Sequence, residues 1–293
     1  MFFILSTGRS GTKTIARTLN ALPGCYCPHE PVPTLIAEGS AYRHGQVSGE
    51  KIRRILRESR SPTFYGATYG ESNQKLSFVI PELAETFLEA KFVWLIRNGL
   101  DVVASIMARG WYGGYEEDYE TMPERWKAWR DHRIQGDLCG DVSKKKWMRM
   151  APFERCCWYW SYVNRLVCHD LKLHAPGRYR VLKLENIHQD LLKTVRWLGL
   201  PALAVPAARR HNKAESYQPY HWKQWSQAER EKFETWCCEQ MDYFYPTWRK
   251  DSGEWVGVDY GKPSNLHHLL SNHPRIIYFI NRAYRKSSTI LGL

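Results

Sequence analysis

The chain has 293 residues, 43% of them hydrophobic, which suits one large α/β domain or a core domain with a helical cap. Lys and Arg number 42 against 30 Asp and Glu, a net charge of +12 that favours anionic partners without choosing among nucleotides, nucleic acid and an acidic membrane surface. No stretch approaches the ~20 apolar residues of a membrane span. Phe2–Leu5 lacks the flanks of a secretory signal, so a soluble, cytoplasmic protein is expected. Eight Cys, with Cys156-Cys157 and Cys237-Cys238 adjacent, suit a reducing compartment. Cys25 and Cys27 stand too close for a zinc knuckle, and His267, His268 and His273 lack Cys or carboxylate partners, so no metal is expected.

Taken in chain order, Phe2–Leu5 is an apolar run that predicts a buried strand. A turn-rich loop, Ser6–Gly11, leads to a helix over Thr12–Leu22, stopped by Pro23-Gly24. An exposed basic helix is expected over Gly49–Ser59, a strand over Thr63–Thr68 and a helix over Phe78–Ala90 with Pro81 in its first turn. Lys91–Ile96 is continuously apolar, as a central parallel strand should be, and Leu100–Arg109 has helical spacing. Tyr115–Met150 is polar and Trp-rich with helical patches, and Pro152–Leu173 is a long aromatic helix. A strand over Arg178–Leu184 and a helix over Asn186–Leu198 follow. Pro206–Trp225 is an irregular loop or lid, and Gln227–Phe244 is helical. Strands alternating with helices imply right-handed crossovers and a parallel central sheet flanked by helices. No linker is evident, so a single domain over 1–293 is expected, with a core of about 1–245 and a basic helical extension over about 246–293. Thirteen Trp and 17 Tyr exceed what a core of this length needs and suit a pocket for a flat ligand.

Two anion sites emerge from the residues. In Thr7-Gly-Arg-Ser-Gly-Thr-Lys-Thr14, Gly8 and Gly11 permit a sharp turn and the following helix supplies its N-terminal amides. Arg9 and Lys13 add full charges; Ser10, Thr12 and Thr14 add hydroxyl donors. The loop is not a Walker A motif, which needs Gly at positions 7 and 12 ahead of Lys13-Thr14, and no Walker B strand follows. Arg97, just past the second apolar strand, and Ser105, eight positions on, form the second site. Two anion sites suit a nucleotide with phosphates at two ends.

Thr7–Thr12 resembles the 5'-phosphosulfate loop of sulfotransferases that use 3'-phosphoadenosine 5'-phosphosulfate (PAPS). Val93–Ser105 resembles their 3'-phosphate motif. Arg180–Ile187 followed by Trp197–Pro201 is similar to their late core strand and helix. The resemblance implies the P-loop-like sulfotransferase fold with a helical and loop cap, PAPS as sulfuryl donor and no metal. It assigns residues 9 to 14 to the 5'-phosphosulfate and Arg97 and Ser105 to the 3'-phosphate, with Arg210 and Lys213 in a basic lid. It also implies an acidic general base after the first helix. Glu30, in Pro28-His-Glu-Pro31, matches that position, with His29 second, while Arg9 and Lys13 would stabilise the leaving group.

Many relatives carry a catalytic Lys, or a Lys and a His, before the 3'-phosphate motif. Here Tyr69–Lys75 has no His, which leaves Lys75, Ser72, Asn73 and Glu71 as substitutes. The implied acceptor is a hydroxyl or amine on a small molecule or carbohydrate, with the aromatic stretch Trp126–Trp160 either roofing its pocket or packing a helical core. No nucleic acid partner is expected. An ATP-dependent phosphotransferase and a non-catalytic nucleotide- or RNA-binding protein are the alternatives.

Overall fold

The computed structural model describes residues 1–64, 66–113, 119, 122–201 and 221–251. Arg210 and Lys213, and the stretch from 252 onward, lie outside them. The described chain groups into two compact units. The first holds residues 1–97 (65 apart), 131–139 and 162–201; the second holds the described parts of 98–130, 140–161 and 221–251.

Six strands form one sheet in the first unit: β1 (Phe2–Leu5), β2 (Cys25–Tyr26), β3 (Thr63–Phe64), β4 (Ala67–Ser72), β5 (Lys91–Ile96) and β6 (Tyr179–Lys183). The helices, in chain order, are α1 (Thr12–Asn20), α2 (Ile36–Arg43), α3 (Gly49–Ser59), α4 (Ile80–Thr86), α5 (Gly99–Met107), α6 (Glu124–Asp131), α7 (Lys144–Arg149), α8 (Pro152–His174), α9 (Ile187–Leu198), α10 (Gln227–Phe244) and α11 (Trp248–Asp251). The strand order β2-β4-β1-β5-β6 is parallel throughout, and β3 adds antiparallel to β4. The chain therefore adopts the expected α/β class, a parallel sheet flanked by helices.

Strand β1 is central, with Phe2 opposite Gly70 on one side and Lys91 on the other. A strand covered on both faces needs apolar residues without alternation, which is what Phe-Phe-Ile-Leu supplies. All four side chains are buried. Phe2 and Ile4 join a core with Ile15 and Leu19 of α1 and Leu191 and Val195 of α9. The Phe3 ring instead lies 5.6 Å from that of Phe87 and 5.9 Å from that of Phe92.

Two predicted boundaries move. The expected strand Thr63–Thr68 is a short hairpin, β3 against β4, and β4 runs on to Ser72 as the principal strand. Gly70 masks it in the sequence, because a Cβ there would stand 2.1 Å from the Phe2 ring. The expected helix Phe78–Ala90 is a 3-10 turn over Gln74–Phe78 followed by α4, which ends at Thr86. Strand β2 and helix α2 form where no periodic signal announces them. Helix α2 starts from Leu35 at φ 56 with no side-chain cap.

In the second unit Asn98 caps α5, accepting from the Leu100 amide at 2.9 Å. Gly99 leaves room for Trp160 and Met241, both 3.1 Å from where its Cβ would be. Trp147 and Trp158 pack edge to face at 4.9 Å, and Trp158 donates to Asp141 at 2.7 Å. Trp147, Trp158 and Trp160 are buried, so these indoles of the aromatic stretch build core. Among the described residues no helix is long and apolar enough to cross a membrane.

Candidate active site

The ends of four parallel strands gather the sequence-predicted residues of the first unit. Strand β1 runs into the loop 6–11, which is turned by Gly8 (φ 76), Arg9 (φ 56) and Gly11 (φ 83). Position 8 favours glycine, because its φ of 76 lies where other residues enter at a cost. The hydroxyls of Thr7 and Ser10 both donate to the Gly8 carbonyl, at 3.0 and 3.1 Å, and the Gly8 amide donates to Ser6 Oγ at 3.0 Å. Ser10 is fully buried, so its hydroxyl holds the turn. The first α1 ladder bond is Ile15 N–H to the Gly11 carbonyl. The amides of Thr12, Lys13 and Thr14 precede it and point out of the helix end, where an anion is favoured. Lys13 is exposed; Arg9 and Thr14 are half-buried.

Arg97 follows β5, the neighbour of β1. Its Nη1 donates to the Arg9 carbonyl at 3.0 Å. A guanidinium has five donors in a rigid fork, and this bond ties that of Arg97 to the loop after β1. Ser105, the hydroxyl of that motif, lies on α5 in the second unit, where Arg109 Nη1 donates to its Oγ at 3.3 Å.

The segment Pro28–Glu30 extends β2 along the end of β4. His29 bridges Ser72, the Glu30 amide donates to the Ser72 carbonyl at 3.0 Å, and the Ser72 amide donates to the Pro28 carbonyl at 3.0 Å. Ser72 Oγ donates to the Thr12 carbonyl at 3.0 Å, tying this segment to the start of α1. His29 Nε2 stands 3.1 Å from Thr12 Oγ1, and its Nδ1 stands 3.9 Å from Glu30 Oε2. The Glu30 side chain is 12% exposed. At the ends of these strands His29 thus contacts both Thr12 and Glu30, and Arg97 contacts Arg9.

Two substitutes for the relatives' strand-end residue sit elsewhere. Glu71 is fully buried and takes both Arg60 Nε and Nη2 at 2.9 and 3.0 Å, the Tyr69 hydroxyl at 2.9 Å and Asn73 Nδ2 at 3.1 Å. A carboxylate so held is a structural anion. Lys75 is buried too, and its Nζ donates to Ser40 Oγ and the His132 carbonyl, both at 2.8 Å, across the Phe78 ring. Sequence reasoning did not see Ser72 as a hub or Arg60 as a partner; an Arg at the end of a basic helix carries no signal of burial.

Burial pushes the Lys75 ammonium down to about 7, with Arg133 adding to the drop and Glu30 opposing it. His44 is lowered by burial and then by Lys75, with Asp137 opposing. Unfolded, Lys75 holds its proton up to about its ordinary 10.5; folded, it releases it near 7. Between those values the unfolded state binds more protons, so stability rises with pH. Relative to Lys75→Met, the protein is expected to gain about 2 kcal/mol of unfolding free energy from pH 7 to 9 in urea titrations. Parallel pH dependences for the two proteins would refute this.

No protein-family model matches the chain, and no curated protein does. Solved structures do. The sulfotransferase domain from the curacin biosynthetic pathway is similar at 12% identity and a TM-score of 0.43, over 69% of this chain and 74% of that one. A sulfotransferase from Alicyclobacillus acidocaldarius is similar at 15% identity and 0.43, over 80% and 94%. The sulfotransferase domain of the Synechococcus PCC 7002 olefin synthase is similar at 12% and 0.42, over 92% of each chain. These three solved structures are all sulfotransferases. What the present site can do is read from its own residues.

Proposed function

We propose that the chain is a PAPS-dependent sulfotransferase that moves a sulfuryl group to a hydroxyl or amine of a small-molecule or carbohydrate acceptor. The observation that carries this reading is the bond from Arg97 Nη1 to the Arg9 carbonyl, which seats a phosphate-type guanidinium against a glycine-turned anion loop. In this reading the loop amides with Arg9, Lys13, Thr12 and Thr14 hold the 5'-phosphosulfate, and Arg97 takes the 3'-phosphate. Ser105, Arg210 and Lys213 are assigned by motif resemblance alone. The acceptor oxygen or nitrogen attacks sulfur, the bond from sulfur to the bridging oxygen breaks, and adenosine 3',5'-bisphosphate (PAP) departs. Glu30 takes the acceptor's proton, and the cations of Arg9 and Lys13 stabilise the charge on the departing phosphate.

Thermal unfolding tests the donor assignment. PAP and PAPS at about 100 Kd are expected to stabilise the protein by about 2.7 kcal/mol, a rise of several degrees in Tm, while ATP with Mg²⁺ gives none. Arg97→Ala removes charge-assisted bonds of about 1.5–3 kcal/mol and is expected to weaken PAP about 10- to 150-fold. Stabilisation by ATP with Mg²⁺ alone would sink the reading in favour of a phosphotransferase.

A further inference from the structure

Glu30 has φ 50, in the left-handed region that a non-glycine residue enters at a cost. Such a conformation persists only where the surroundings over-determine it. The surroundings here are specific. Before Glu30, the ladder to Ser72 fixes the carbonyl of Pro28 and the amide of Glu30. After it, Arg60 Nη2 donates to the Pro33 carbonyl at 2.7 Å and Asn73 Nδ2 donates to the Thr34 carbonyl at 3.1 Å. Both donors are themselves held by Glu71, through the Arg60 fork and through Asn73 Nδ2. The Arg60 and Glu71 side chains are 1% and 0% exposed.

A buried ion pair of this kind is seldom retained for stability, because a well-packed apolar pair of similar volume does as well. What an apolar pair cannot do is donate to the Pro33 carbonyl through Arg60 and, through Glu71, hold the Asn73 amide that donates to the Thr34 carbonyl. Arg60 follows the end of helix α3, β4 delivers Glu71, and Asn73 is the residue after β4; Arg60 and Asn73, both held by Glu71, converge on one loop, 30–34.

We propose that the Arg60–Glu71 pair, with Asn73, is a positioning clasp that holds residue 30 in its left-handed backbone conformation and so aims the Glu30 carboxylate. Its catalytic meaning rests on Glu30 being the base proposed above; the conformational claim stands apart from it.

The test is a cycle of Tm measurements that uses neither donor nor acceptor. With the clasp intact, Glu30→Gly is expected to melt about 2 °C above Glu30→Ala, because only glycine enters positive φ freely. In the Arg60→Met/Glu71→Leu background, which leaves no buried charge unpaired, the loop can relax and the difference is expected to vanish or reverse. An ion pair that merely stabilised the fold would lower both variants equally and keep their difference; that result overturns the proposal. If the double swap does not fold, Asn73→Ser replaces it, keeping a capping hydroxyl for the Lys75 amide while losing the donor to Thr34. It is expected to halve the difference at least, and an unchanged difference overturns the proposal. PAP melting shifts on the wild-type protein report separately on the sulfotransferase reading. A failed shift with an intact cycle removes the reading and leaves the clasp.

Discussion

Glu30→Gln is expected to lower turnover about 10²- to 10⁴-fold while leaving the PAP-induced rise in Tm unchanged. The amide keeps the size of the side chain and can still hydrogen-bond, but it cannot take a proton. Glu30 suits the role by place as well as by chemistry. Its amide is bound to the end of β4, beside a loop that Arg97 and Ser72 both touch. Its side chain is only 12% exposed, so a proton transferred there is shielded from bulk solvent. The measurement is formation of PAP from PAPS, with water alone and with a panel of hydroxyl and amine acceptors. Full turnover in Glu30→Gln removes it as base. His29, 3.9 Å away through Nδ1 and bound to Thr12 through Nε2, is then the next group to replace.

The sequence makes this edge of the sheet legible in part, and the physical reason differs from residue to residue. Strands β1 and β5 are buried on both faces, so their apolar runs announce themselves, and the loop and Arg97 follow directly from where those runs end. The loop is equally plain, because glycine at positions 8 and 11 answers a local need, positive φ, that shows in composition. Strand β4 hides because two of its residues answer tertiary needs. Gly70 makes room for Phe2, and Glu71 meets Arg60, whose place in the chain predicts only a solvated helix end. Ser72 hides for the same reason: its connections to Pro28, Glu30 and Thr12 span long stretches of chain. The substitutes considered for the relatives' strand-end residue are all buried and part ways on their partners, which a sequence does not display. Glu71 is locked in an ion pair, and Lys75 is drawn to Ser40 and the His132 carbonyl. Contacts that local pattern determines are visible from the chain, and contacts made between distant segments are not.

Arg60→Met alone is expected to cost about 3–5 kcal/mol of stability at pH 8, whereas Arg60→Met/Glu71→Leu is expected to fall close to the parent. The single change removes the cation from a fully buried carboxylate that keeps only the Tyr69 and Asn73 donors. The double change removes both desolvated charges at once and loses mainly the bond to the Pro33 carbonyl. Urea unfolding of the two variants at pH 8 reads both. A double variant as unstable as Arg60→Met would mean that the Arg60 side chain matters for its volume, and that Glu71 does not depend on its charge.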